Sequence, residues 1–337
     1  MSTHIQTEDQ LIDQMTTPSE VVREAVAALD GPILLLGVGG KMGPTLAELF
    51  VRAGAKQVIG VSRFSDADSR AYLNSLGVQT IQADLMVPSA LASLPDAPYV
   101  YFLAGFKFGA TGAEPATWTM NSFLPGLVME RYPTSKVVYV SSGNVYAYVS
   151  TESHGASETG ELSPVGEYAQ SRLGGERIAQ YCSSVNRTPL VIVRLFYATE
   201  LRYGILHDLA WKIRQGEPIA LNMGYVNQIW QGDANAYLTR LIPLCDSPPK
   251  IVNMTGPAVL SVRSLAERLG ALMGVEPVFT GVESATALLG DATTLLRQLG
   301  EPSISVDQMI EWVAHWVRYD GRSLGKPTKF ESRTGKF

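Results

Sequence analysis

The stretch PILLLGVGGKMGPTLAELFVRAG, Pro32 to Gly54, constrains the fold of this 337-residue chain more than any other. An apolar run of buried-strand length gives way to a glycine-rich turn, then to apolar positions at helical spacing. Strand, loop and helix in that order form the first unit of a parallel sheet, because a parallel partner strand is reached only through a crossover. Glycines in such a turn let the backbone approach a pyrophosphate whose charge sits on the helix N-terminus. The loop GVGGKMG departs from GxGxxG, with Met42 at the third glycine position. It reads instead as GxxGxxG through Gly37, Gly40 and Gly43, with Lys41 inside it.

The alternation continues. KQVIGVS, VQTIQAD and YVYFLAG carry strand patterns, and DADSRAYLNSLG a helix ending in glycine. A long helix is expected over Glu114 to Tyr132, followed by the strand KVVYVSS, a polar loop from Tyr148 to Gly166, a helix from Glu167 to Ser184 and the strand LVIVRLF. The fold class is α/β, a Rossmann-type doubly wound parallel sheet with a smaller C-terminal substrate-binding domain. Beyond Phe196 the regular alternation fades into shorter helices. The expected division is an N-terminal helical extension (1–31), a dinucleotide-binding domain (32–198), a mainly substrate-binding domain (199–320) and a basic C-terminal tail (321–337). That tail carries five cations against Glu331. It reads as a solvated tail, or less readily as a strap onto a neighbouring subunit.

Composition narrows the function. A hydrophobic fraction of 46% supplies an ample core, and a net charge of -5 gives no basic footprint for nucleic acid. The start MSTHIQTEDQ has neither the charged nor the apolar region of a secretory signal, and no apolar run reaches the ~20 residues of a membrane span, so a cytoplasmic location away from membranes is expected. Cys182 and Cys245 lack CxxC spacing, and the histidines at 4, 154, 207 and 315 lack metal-ligand spacing, so no metal is expected.

An NAD site places an acidic residue about 20 positions past the glycine loop to hold the ribose 2'-hydroxyl. Here Ser62 stands at that place and Arg63 follows, a pairing suited to a 2'-phosphate, so NADP is favoured and NAD is the alternative. Ser142 lies just beyond the strand KVVYVSS, and Tyr168 opens a helix 26 residues later. A hydroxyl that hydrogen-bonds a substrate oxygen and a phenol that moves its proton are what carbonyl–alcohol hydride chemistry needs.

From Gly37 to about Trp316 the chain resembles the extended short-chain dehydrogenase/reductase superfamily, and within it the NAD-dependent epimerase/dehydratase family. The matches are GVGGKMG, ADL at 83–85, FLAG at 102–105, Asn121, SSGNVY at 141–146, YAQSRLGGE at 168–176, VRLF at 193–196 and Asp233. The resemblance implies that Gly37, Gly40 and Gly43 hold the pyrophosphate, that Asp84 and Leu85 flank the adenine, and that Leu103, Ala104 and Gly105 border the cofactor's centre. It implies Ser142, with Asn144 nearby, at the reacting oxygen, Tyr168 as acid/base, and a homodimer through the helices over 114–132 and 167–184. The family's lysine four residues after the tyrosine is Arg172 here. Arginine keeps the permanent charge that lowers a phenol's pKa but is far less able to pass on a proton. Glu176, one turn on, could alternatively hold Arg172 as an ion pair.

Sugar-nucleotide members resemble one another in an asparagine after the sixth strand and often an arginine ahead of the aspartate. Here Tyr197 and Val226 occupy those places. The expected substrate is therefore a small carbohydrate-like alcohol or carbonyl, a sugar or sugar acid; a nucleotide sugar, or a non-catalytic redox-sensing role, is the alternative. Asn227, Gln228 and Trp230 read equally as substrate contacts or as a polar turn with one anchoring aromatic.

Overall fold

The computed structural model describes residues 4–107 and 109–336. Seven strands form one parallel sheet: β1 Ile33–Leu36, β2 Val58–Ser62, β3 Gln79–Gln82, β4 Tyr99–Phe102, β5 Lys136–Ser142, β6 Leu190–Leu195 and β7 Lys250–Met254. Their order across the sheet is β3-β2-β1-β4-β5-β6-β7. The chain winds outward from β1 to β3 and restarts on the other side with β4. The loops leaving β1 and β4 therefore diverge and open a crevice at the sheet's carboxyl edge, where open α/β sheets hold their ligands.

Alternation along the strands explains the two-sided burial. Ile33, Leu35, Tyr101, Val138, Val191, Val193 and Val252 face one core, while Leu34, Leu36, Val100, Phe102, Val137, Tyr139 and Ile192 face the other. The seventh strand, KIVNM, is an addition to the expected order; it comes from within the region read as the substrate-binding part. A third core joins the helices Ile205–Gln215, Val262–Met273 and Val306–Arg318.

Both chain ends belong to these cores. The expected extension contains the helix Glu20–Ala27 and also a helix missed by periodicity, Glu8–Thr16. Its signal was present: Thr7 and Gln10 form a capping box. Val22 and Val26 pack on the sheet side and Leu11 and Met15 in the third core, so the extension spans the two layers. The C-terminal run is laid on the protein rather than solvated. Thr328 donates twice to Asp208 Oδ2 (2.7 and 2.6 Å), Phe330 is buried, and Arg333 donates to Thr286 (2.8 Å). Among the described residues no helix is long and apolar enough to cross a membrane, and no cluster of His, Cys, Asp or Glu could hold a metal.

Candidate active site

The turn after β1 is built as its glycines demand. Gly37 has φ +91°, and a Cβ there would lie 2.7 Å from the Ala104 nitrogen in the loop after β4. A Cβ at Gly43 would collide with the Val38 carbonyl, so only glycine lets the helix Gly43–Arg52 begin this close to the strand. That helix has no side-chain cap, so the N–H groups of its first turn, other than at Pro44, which has none, have no capping side chain to compete with an anion. Lys41 lies half-buried beside them, donates to Ala198 O at 2.7 Å and lies 4.3 Å over the Tyr203 ring. Burial pushes its pKa down to about 7, only partly opposed by Glu200.

Ser142 ends β5 and caps the turn Gly143–Val145. Its hydroxyl donates to Asn144 Oδ1 (3.0 Å) and accepts from the Asn144 N–H (3.2 Å), which fixes its direction. Tyr168 stands in the first turn of the helix Gly166–Asn186. Its ring lies 5.8 Å from Lys107 Nζ, which is 5.9 Å from the Tyr197 ring, so one ammonium stands by both phenols. Burial holds Lys107 down at about 8, with Asp208 opposing and Lys329 reinforcing the shift.

Arg172 follows one turn later and is only 4% exposed. Its guanidinium donates to the carbonyl oxygens of Val140, Ala104 and Asn121 and lies 5.3 Å from the Tyr139 ring. The ion pair with Glu176 that helical spacing allowed is not made. Glu176 points across the sheet, accepts from Ser141 Oγ at 2.5 Å and pairs with Arg194 at 2.8 Å, both partners essentially unexposed. Among the described residues no carboxylate pairs with Arg172, so its charge is held by dipoles alone. Asn121 is the hub of this arrangement: it lies in a π-helical turn, Thr119–Phe123, that interrupts the long helix expected over 114–132. It exchanges hydrogen bonds with the Phe106 backbone (2.8 and 2.9 Å) and donates to Ser171 Oγ (3.1 Å).

These parts line one cleft of about 340 Å³ at the crevice between β1 and β4. It brings together Gly37, Gly40, Lys41, Met42 and Gly43 with Leu103, Gly105, Ser142, Asn144, Tyr168, Arg172 and Tyr197. Ser62, Arg63, Asp84, Leu85 and Ala104 are not part of its lining. Ser62 sits under Gly39, and the exposed Arg63 guanidinium bonds no described residue. Asp84 accepts from the Met86 N–H (2.9 Å), and Leu85 is buried. Asn227 and Trp230 do not line the cleft. Asn227 is wholly buried and donates to Gly290 O (2.6 Å), and Trp230 packs edge-on to Trp312. Sequence reasoning also passed over Lys107, Tyr203 and Lys326, which line the cleft; only Lys107, two residues after FLAG, stood close enough to a motif to be found.

Residues 33–199 match the NAD dependent epimerase/dehydratase family. This segment is a member of that family. Its members are NAD-dependent enzymes, and the seven-stranded parallel sheet described above is the architecture of their structures. No curated protein matches the chain. Solved structures similar to it include UDP-glucuronic acid 4-epimerase from Bacillus cereus in complex with NAD (19% identity, TM-score 0.72) and UDP-glucose 4-epimerase from Thermotoga maritima with UDP-glucose (17% identity, TM-score 0.73). In each case 86% of this chain aligns with 99% of the other.

Proposed function

We propose that the protein oxidises, reduces or epimerises a carbohydrate-like alcohol or carbonyl with NAD(P), using Tyr168, Ser142 and Arg172. The observation that carries this reading is the convergence of those three side chains with the glycine loop on one cleft.

The residues fit a dinucleotide. The uncapped helix start and the two required glycines leave backbone N–H groups for a pyrophosphate, and the buried, unpartnered Arg172 Nε leaves a donor at the cleft. Gly37, Gly40, Lys41, Met42 and Gly43 would hold the pyrophosphate. Asp84 and Leu85 would border the adenine, Leu103, Ala104 and Gly105 the centre, and Arg172 the nicotinamide ribose. When bound, the nicotinamide supplies or accepts hydride. Tyr168 gives a proton to the substrate oxygen or takes it, and Ser142, kept in place by the Asn144 N–H, turns its one hydroxyl proton from Asn144 Oδ1 to the same oxygen. A phenol ionises at a pKa of about 10, so a fixed cation lowers the cost of its deprotonated state. Arg172 brings a permanent charge to the same cleft without exchanging a proton itself.

Ser62 and Arg63 support NADP, since no acid stands there to hold a 2'-hydroxyl and Arg63 is uncommitted. Arg63→Ala should weaken NADPH binding by roughly ten- to a hundredfold, the value of a charge-assisted hydrogen bond, and leave NADH nearly unchanged. Fluorescence titration of both reduced cofactors checks this; equal loss for the two would remove Arg63 from the cofactor site.

For the substrate, Tyr197 and the buried Val226 favour a sugar or sugar acid over a nucleotide sugar. A nucleotide sugar is the second reading, favoured by the UDP-sugar named with one of the similar structures. The reading as a whole is tested by mixing the protein and NADP or NAD with sugars, sugar acids and UDP-sugars. The expected result is cofactor reduction or sugar interconversion with at least one of them, and none with any would reject it.

A further inference from the structure

We infer that the C-terminal segment 322–336 is a wall of the substrate site, and that its Lys326, together with Lys107, binds an acidic substituent of the substrate. The inference rests on the reading of the cleft as a hydride-transfer site.

The segment is fixed at several points. Leu324 N–H donates to Arg202 O (3.0 Å), and Thr328 donates to Asp208 through both its N–H and its hydroxyl. Phe330 fills the third core, Lys212 pairs with Glu331 (3.0 Å), and Arg333 lies 4.2 Å over the Tyr148 ring. At its end the backbone of Gly335 rests on Val165 and Gly166, just ahead of Tyr168. Anchors on both sides of Lys326 leave that side chain at the cleft, which it lines.

Charge identifies the ligand. The protein as a whole carries 32 acidic against 27 basic residues, yet the described lining of the cleft holds Lys41, Lys107, Arg172 and Lys326 and no carboxylate. Lys41 is held in the glycine loop on Ala198 O, and Arg172 in its ring of carbonyls. Lys107 stands between Tyr168 and Tyr197, on the side of the proton-transferring phenol. Lys326 is exposed, and its ammonium makes no hydrogen bond or ion pair with a described residue. It also borders a second cavity of about 290 Å³, whose lining sets Asp208, Glu217 and Glu331 against Lys212 and Lys326, whereas the charged residues lining the cleft beside Tyr168 are all cations. An acidic group is therefore drawn to the Tyr168 side. A carboxylate or a phosphate monoester on a sugar has the required chemistry.

The test uses ligands that share a ring and differ at one substituent, added to the full-length protein loaded with reduced cofactor: D-glucuronate and D-glucose 6-phosphate against D-glucose, and UDP-glucuronate against UDP-glucose. Calorimetry should show at least one acidic ligand binding about tenfold or more tightly than its neutral counterpart. Lys326→Met and Lys107→Met should each bring that ratio toward one, whereas Lys326→Arg should keep it. The glucuronate and phosphate arms separate the two acid types. A wild-type ratio near one for every pair, or a ratio unchanged by Lys326→Met, overturns the inference. Tyr168-dependent turnover without acid preference removes the inference alone. Lys326-dependent preference in a protein that transfers no hydride removes the functional reading and keeps the binding site.

Discussion

Tyr168→Phe should lower turnover by roughly 10²–10⁴-fold, the contribution of a positioned acid/base, while cofactor affinity stays close to that of the parent protein. The substitution removes one hydroxyl from a ring that stays in place in the first turn of its helix. A matching loss of cofactor affinity would mean that the phenol holds the dinucleotide rather than the proton. Arg172→Met should also lower turnover, because the cleft loses the permanent charge proposed to hold the nicotinamide ribose. Steady-state kinetics with a cofactor titration on each variant separate these effects.

Glu176→Ala should destabilise the fold by about 3–5 kcal/mol, the cost of leaving the buried Arg194 without its counter-charge. Burial works against the Arg194 charge, and the hydrogen bonds and charge of Glu176 more than reverse this, so its pKa lies above the usual arginine value. Tyr146 OH accepts from the same guanidinium at 2.8 Å, and Ser141, next to Ser142, donates to Glu176. The carboxylate thus ties the helix carrying Tyr168 to the strand carrying Ser142. Urea unfolding should show the loss, and replacing Glu176 and Arg194 together by leucine should cost less than the two single changes summed. A single-variant loss below about 1 kcal/mol would mean that water or a neighbour satisfies the arginine.

The parts of the fold legible in the sequence were those whose causes are local. Strand-loop-helix units, the glycine loop, Ser142 after its strand and Tyr168 at its helix start are all set by neighbours in the chain. The failures share a different cause. Pairing Arg172 with Glu176 follows a surface rule for helices, but this part of the helix is buried and Arg194 competes from β6. Asn227 and Trp230 look like an exposed turn until Gly290 and Trp312, distant in sequence, cover them. The tail's charge suggested solvent, yet Thr328 and Phe330 decide its path by fitting Asp208 and the third core. Lys326 reaches the cleft only through that path, and no motif surrounds it.

The central claim is that hydride moves in the cleft beneath Tyr168. The most direct measurement uses a sugar found active by turnover, deuterated at the carbon that bears the reacting hydroxyl, with mass analysis of the nicotinamide and the product after a single turnover. Net oxidation should leave the deuterium on the reduced cofactor and epimerisation should return it to the product carbon, in the wild-type protein, with almost none of either in Tyr168→Phe over the same interval. Sugar conversion in which that deuterium is exchanged for solvent hydrogen, reaching neither the nicotinamide nor the product carbon, would contradict it.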